Sequence, residues 1–291
     1  MLAPWLDLAG VPEQIAAFGE AASLDLLRLG TTADAEEIKD TAVTQPLIVA
    51  LGVIVAGQLN LPDAAVVAGH SVGELTAAAV AGVLSPADAV GFAARRGAEM
   101  AAACALTPTG MSALLGGDPD EVAAGIVAAG LTPANRNGAG QIVAAGALDD
   151  LEKLAAAPPA GARVRPLAVA GAFHTHFMAP AEAALGGYVA GLATADPTAT
   201  LLSNADGRPV TTGVEMLGRL VRQVTQPVRW DLCLETCREL GVSAVVELAP
   251  AGTLVGIAKR ELPGVELLAI KTPAELDQAR AVLGNTKGDA R

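Results

Sequence analysis

Ser71 stands in Gly69-His70-Ser71-Val72-Gly73, a GxSxG pentapeptide of the kind that lifts a serine hydroxyl out of a strand-to-helix turn. A serine so placed is a candidate nucleophile, but at neutral pH it needs a base. The chain has three histidines, His70, His174 and His176. His70 adjoins the serine, so its side chain is expected to point elsewhere. His174 and His176 lie in GAFHTHFM, and either could reach Ser71 across a cleft. An H-x-H pair also suits a metal, but no further ligand cluster accompanies it, so no metal is expected. A third reactive type is the pair Arg95 and Arg96. On a helix the two point about 100° apart, so only one can face a cleft, and spacing alone does not say which.

These side chains need elements to hold them. From Ala64 the chain reads AAVVAGHSVGELTAAAVAGVL: a short buried-type strand, a turn at Ser71, then an alanine-rich helix broken at Gly82. Both glycines of the pentapeptide are expected to relieve crowding in the turn. The helix after it would aim unpaired N–H groups at the hydroxyl, making the Val72 N–H a natural donor to an oxyanion. Ser85, Pro86 and Asp88 open a second helix, which carries the two arginines.

Between about Met111 and Val169 the pattern changes. MSALLG, LTPAN, QIVAAGA and RVRPLAVA read as strands, and DPDEVAAGIVAAG and ALDDLEKLAAA as helices. The order βαββαβ is that of a ferredoxin-like unit. Farther on, VSAVVELAP reads as a buried strand and TLVGIAKREL as a helix capped by Thr253. The expected fold is α/β: a hydrolase-like, mostly parallel sheet flanked by helices, with the ferredoxin-like small domain inserted. Residues 1–104 and 178–291 then form the large domain and 105–177 the small one. Gly284 to Arg291 reads as a frayed polar tail.

Composition narrows the function. At 291 residues and 52% apolar, with a net charge of -12, the chain suits a globular fold, and its acidity argues against nucleic acid or anionic membrane as the main partner, both of which need a basic face. Its longest apolar run, Leu47 to Gly57, is too short to span a bilayer, and no basic-then-apolar leader opens the chain. Cys104, Cys233 and Cys237 lack metal spacing and read as idle thiols. A cytoplasmic monomer is expected.

GHSVGE, the ARRGAEM helix, GAFHTHFM and VRQVTQPVRW, in that order, resemble the malonyl-CoA:acyl carrier protein transacylases. TQPLIVA and NRNGAGQIVAAG fit the same pattern, and the similarity runs from about Trp5 to Thr272. The resemblance implies Ser71 as nucleophile and His174, four residues before Met178, as base. It implies Arg96, directly before Gly97, as ligand of the substrate carboxylate. Gln223 would steady His174 through its main-chain carbonyl, and Gln45 and Val72 would line the substrate site. Phe173 resembles the residue that accompanies malonyl preference in related polyketide acyltransferases. The implied reaction carries a malonyl group from malonyl-CoA, through an ester on Ser71, to a phosphopantetheine thiol of an acyl carrier protein, with no cofactor. Arg208, Arg222 and Arg229 are candidates for the docking patch.

The pattern departs from the family in one place. The family opens with a strand and a GQGxQ loop that supplies a second oxyanion donor, whereas this chain starts at Met1-Leu2-Ala3-Pro4-Trp5. A truncated or misassigned start is therefore expected, and a catalytically impaired carrier-binding paralogue stays open beside the enzyme. A serine esterase of the α/β-hydrolase type is the other rival. It requires an acid and then a histidine late in the chain, and none follows His176.

Overall fold

Ser85 accepts a hydrogen bond from the Asp88 N–H, and Pro86 fills the first helical position, so the helix Pro86–Cys104 starts where its caps dictate. Thr41–Ala56 lies against it. The two backbones come close at Gly97, where a Cβ would stand 2.4 Å from the Thr41 carbonyl oxygen. Only glycine permits that approach, and it sets the depth of the neighbouring Arg96. Trp5, Leu47, Ile54, Leu75, Phe92 and Met178 share the main apolar core around these helices.

The chain, a computed structural model, is described over residues 1–285. Its strands are β1 (Val66–Val67), β2 (Thr109–Gly116), β3 (Thr132–Gly138), β4 (Gln141–Ala147) and β5 (Ala162–Pro166). They continue as β6 (Thr200–Leu202), β7 (Pro209–Val210), β8 (Val228–Arg229), β9 (Ala244–Glu247) and β10 (Glu266–Ala269). β1 runs parallel to β6, which pairs antiparallel with β7. β9 and β10 form a separate parallel pair. The largest sheet has the order β5-β2-β4-β3-β8. The fold is α/β, with mixed sheets and flanking helices.

β2 to β5 pair antiparallel, with the helices Pro119–Ala128 and Leu148–Ala156 between them in sequence. Leu114, Val122, Ile126, Ile142 and Leu151 form a core of their own. The opposite face of that sheet carries Met111, Ala113, Val143 and Ala145, packed with Ala172, Phe173 and Phe177. The segment bearing His174 is thereby pinned to this sheet.

Several expectations are corrected. β5 stops at Pro166 rather than running to Ala170, because the chain turns away after Leu167: its N–H still donates to the Met111 carbonyl at 3.0 Å, but its own carbonyl accepts from the Val169 N–H at 3.0 Å. β8, from the later part of the chain, joins the outer edge of β3 in parallel, so that edge is covered by a residue pair from beyond position 177. Thr253 does not cap its helix. Gly252 does, and the Glu247 carboxylate accepts from the N–H groups of Gly252, Leu254 and Val255 at 2.9, 3.0 and 2.9 Å. Of the supposed polar tail, Gly284 and Asn285 end the helix Leu276–Asn285, and the rest lies outside the described residues.

Candidate active site

Ser71 sits at φ 52°, in the left-handed region that non-glycine residues seldom adopt. Two contacts hold it there. Its N–H donates to Asn204 Oδ1 at 2.8 Å, and Asn204 Nδ2 donates to the Gly69 carbonyl at 2.8 Å. Gly69 is required sterically, since a Cβ would lie 2.0 Å from the Gly73 carbonyl oxygen. Gly73 is not: a Cβ there would meet nothing within 4 Å. The expectation that both glycines relieve crowding holds for the first alone, because the helix Gly73–Val80 already points the second outward.

The three histidines separate cleanly. His70 Nε2 lies 2.8 Å from Asn137 Oδ1, with its ring edge-on to Trp230, so it tethers the turn to β3. His176 is exposed and stacks on Phe177. His174 is buried, and its Nε2 lies 2.7 Å from Ser71 Oγ. Its Nδ1 lies 2.8 Å from the Gln223 main-chain oxygen. A carbonyl can only accept, so Nδ1 carries the proton and Nε2 presents its lone pair to the Ser71 hydroxyl. His174 itself adopts φ 61°, a second left-handed residue facing the first.

Burial, and then the charge of Arg96, lower the His174 pKa to about 3. The imidazole therefore stays neutral as pH falls well below the ordinary histidine range. Acylation of Ser71 by a neutral ester such as p-nitrophenyl acetate should keep its rate from about pH 8 to about pH 5. A loss with its midpoint near the ordinary histidine value of about 6.5 would contradict this state of the ring.

The two arginines also part. Arg95 is half exposed and pairs with Glu99 one turn along the helix, at 2.8 Å. Arg96 is 2% exposed. Its Nη1 donates to Gln45 Oε1 at 2.5 Å and its Nη2 to Gln223 Oε1 at 2.8 Å. The same Nη2 lies 3.3 Å from Ser71 Oγ. A guanidinium has five N–H donors, so donors remain for an incoming anion. Burial lowers its pKa to about 10, and it stays a cation at neutral pH.

The Val72 N–H makes no hydrogen bond among the described residues, and it stands beside Ser71 at the helix entrance. Phe173, partly buried, packs at the seam of two cores next to His174. Ser71, His174, Arg96, Val72, Gln45, Phe173 and Gln223 thus come together, from segments far apart in sequence. Two residues of the same cluster were not singled out from sequence, Asn204 and Glu74. No group of three or more potential metal ligands occurs among the described residues.

A buried cation a few ångströms from a serine–histidine pair is an arrangement for an acyl group that carries its own negative charge. Residues 14–281 match the family described as Acyl transferase domain. The malonyl CoA-acyl carrier protein transacylase of Mycobacterium tuberculosis H37Rv is 61% identical over 283 residues, spanning 96% of this chain and 94% of that protein. The chain belongs to the malonyl-CoA–acyl carrier protein transacylase family. The family member of Escherichia coli K12 is 33% identical, over 92% of this chain and 90% of its own. The crystal structure of the M. tuberculosis protein superposes with a TM-score of 0.92 at 59% identity, covering 96% and 94% of the two chains. Another similar structure is of a malonyl-transacylase in complex with its type II polyketide acyl-carrier protein, with a TM-score of 0.88 at 28% identity, covering 97% and 94%. Membership makes the chain an acyltransferase. Among the described residues no helix is long and apolar enough to cross a membrane.

Proposed function

We propose that this chain transfers malonyl groups from malonyl-CoA to the phosphopantetheine thiol of an acyl carrier protein, with Ser71 as nucleophile, His174 as base and Arg96 as carboxylate ligand. The single observation that carries the reading is the position of the Arg96 guanidinium, itself buried and 3.3 Å from the Ser71 hydroxyl. So short a gap fits an acyl group whose free carboxylate lies one methylene from the reacting carbonyl.

His174 Nε2 takes the Ser71 proton as Oγ attacks the thioester carbon. The oxyanion forms beside the Val72 N–H. The C–S bond then breaks, and His174 returns the proton to the coenzyme A sulfur. The carrier thiol reverses the sequence: it gives its proton to His174, attacks the ester, and Ser71 leaves as a hydroxyl. Gln223 holds the histidine through its main-chain oxygen, so a dyad with a carbonyl does the orienting that a carboxylate does in a triad. Gln45 and Gln223 hold the guanidinium, which can then grip a carboxylate with parallel hydrogen bonds. Phe173 is proposed to limit the room beside the methylene carbon.

The order β5-β2-β4-β3, with two helices in a βαββαβ succession, supports a ferredoxin-like small domain at 105–177 inserted between 1–104 and 178–291. The parallel pairings of β1 with β6 and β9 with β10 support a hydrolase-like body. The three cysteines are thiols and the donor is a coenzyme A thioester, which together support a cytoplasmic setting. Of the docking candidates, Arg208 pairs with Glu239 and Arg229 with Asp231. Arg222 alone of the three has no ion pair among the described residues.

Initial rates with malonyl-CoA and a phosphopantetheinylated carrier protein varied together test the scheme. Parallel double-reciprocal lines are expected of an acyl-enzyme route. Intersecting lines would mean direct transfer and would overturn it.

A further inference from the structure

Glu74, in the first turn of the helix Gly73–Val80, is 1% exposed, and nothing in the reaction scheme uses it. Its Oε1 accepts from the Asn204 main-chain N–H at 2.5 Å, and its Oε2 accepts from Gln223 Nε2. An ionised carboxylate only accepts. The Gln223 amide must therefore turn its nitrogen toward Glu74, and that nitrogen also donates to the Ser71 carbonyl at 3.0 Å. Its oxygen is left facing Arg96 Nη2 at 2.8 Å. Were the amide reversed, its NH2 would meet a guanidinium N–H, and its oxygen would face both Glu74 and the Ser71 carbonyl.

We propose that Glu74 is a positioning residue for substrate selection: by fixing which way the Gln223 amide points, it holds the Arg96 guanidinium in the orientation that receives a carboxylate. The effect runs through Gln223, not by contact with substrate. Burying a carboxylate is unfavourable unless it is well paired. Burial raises the Glu74 pKa to about 7, so the carboxylate dictates the amide above that value, and the test below is run at about pH 8.5. Packing alone would be served as well by an uncharged side chain. An amide at position 74 could present either its oxygen or its nitrogen, and so would no longer dictate the orientation of Gln223. Asn204 shares the carboxylate, which links the turn holding Ser71 to the same device.

This inference rests on the reading of Arg96 as carboxylate ligand, and the test separates the two. The quantity measured is the ratio of kcat/KM for malonyl-CoA to that for acetyl-CoA, in Ser71 acylation. Glu74→Gln is expected to lower the ratio about tenfold, the weight of one hydrogen bond to a charged group. In a Gln223→Met background, which keeps the main-chain oxygen, Glu74→Gln should cause no further fall, because the link is already cut. If Glu74 only supports the fold, both donors fall alike, the ratio holds, and the proposal is overturned. Should Glu74→Gln not fold, Gln223→Met alone reads the same ratio, and an unchanged value overturns it. Arg96→Ala is the reference. If that variant keeps the wild-type ratio, the carboxylate reading itself fails. If it loses the ratio while Glu74→Gln does not, only the role of Glu74 fails.

Discussion

Ser71→Ala is expected to abolish malonyl loading, a loss on the order of 10⁶-fold, as removal of the nucleophile costs in enzymes of this chemistry. The hydroxyl lies 2.7 Å from His174 Nε2, and among the described residues no neighbouring side chain can replace it. His70 is committed to Asn137, and the Cys233 thiol is buried with its pKa raised by that burial. His174→Ala should approach the same loss, because residues acting as a unit fail together. The check is acyl-enzyme formation with malonyl-CoA, with melting temperature as a control for folding. A Ser71→Ala chain that still forms a covalent malonyl enzyme would remove the dyad from the account.

Arg96→Ala should lower kcat/KM for malonyl-CoA by about 10² to 10³-fold, the sum of two charge-assisted hydrogen bonds. The same change should affect acetyl-CoA far less, since acetyl offers no anion to grip. Arg96→Lys is expected to recover little. An ammonium is a point charge, and it cannot hold Gln45, Gln223 and a planar carboxylate in one fork. Arg95→Ala is the contrast, because that residue is tied to Glu99 on the outer side of the helix. Equal losses for the two donors in Arg96→Ala would mean that the arginine supports the serine rather than selecting the acyl group.

What sequence reasoning reached follows from where information is local. The elbow, the helix opened by Ser85-Pro86 and the strands of residues 109–166 are each specified by neighbours within a few positions, and each is present. The choice of Arg96 over Arg95 is not local. It depends on which helix face meets Gln45 and Gln223, 51 and 127 residues away, and only the family resemblance pointed to it. The same holds for His174 over His176. Gln223 was expected to act through its main chain, and its side chain turns out to bridge Arg96, Glu74 and the Ser71 carbonyl as well.

Glu74 carries a local signal of its role. Ala77, Ala78 and Ala81 share its helical face at i+3, i+4 and i+7, and all four are buried. A carboxylate on an otherwise apolar stripe calls for buried partners. Asn204 had none, since it lies in the turn after β6 and reaches Ser71 across 133 residues. The misassigned Thr253 cap shows the same limit: Thr253 looked like a local cap, and the helix is capped instead by a carboxylate at the end of β9.

The central claim is that Ser71 carries the malonyl group. Its most direct test is intact-protein mass spectrometry of the wild-type chain after brief exposure to malonyl-CoA, followed by peptide mapping. One malonyl group per chain, located on the peptide that contains Ser71 and discharged by a phosphopantetheinylated carrier protein, is the predicted result. A folded wild-type chain that acquires no adduct, or acquires it elsewhere, would contradict the account.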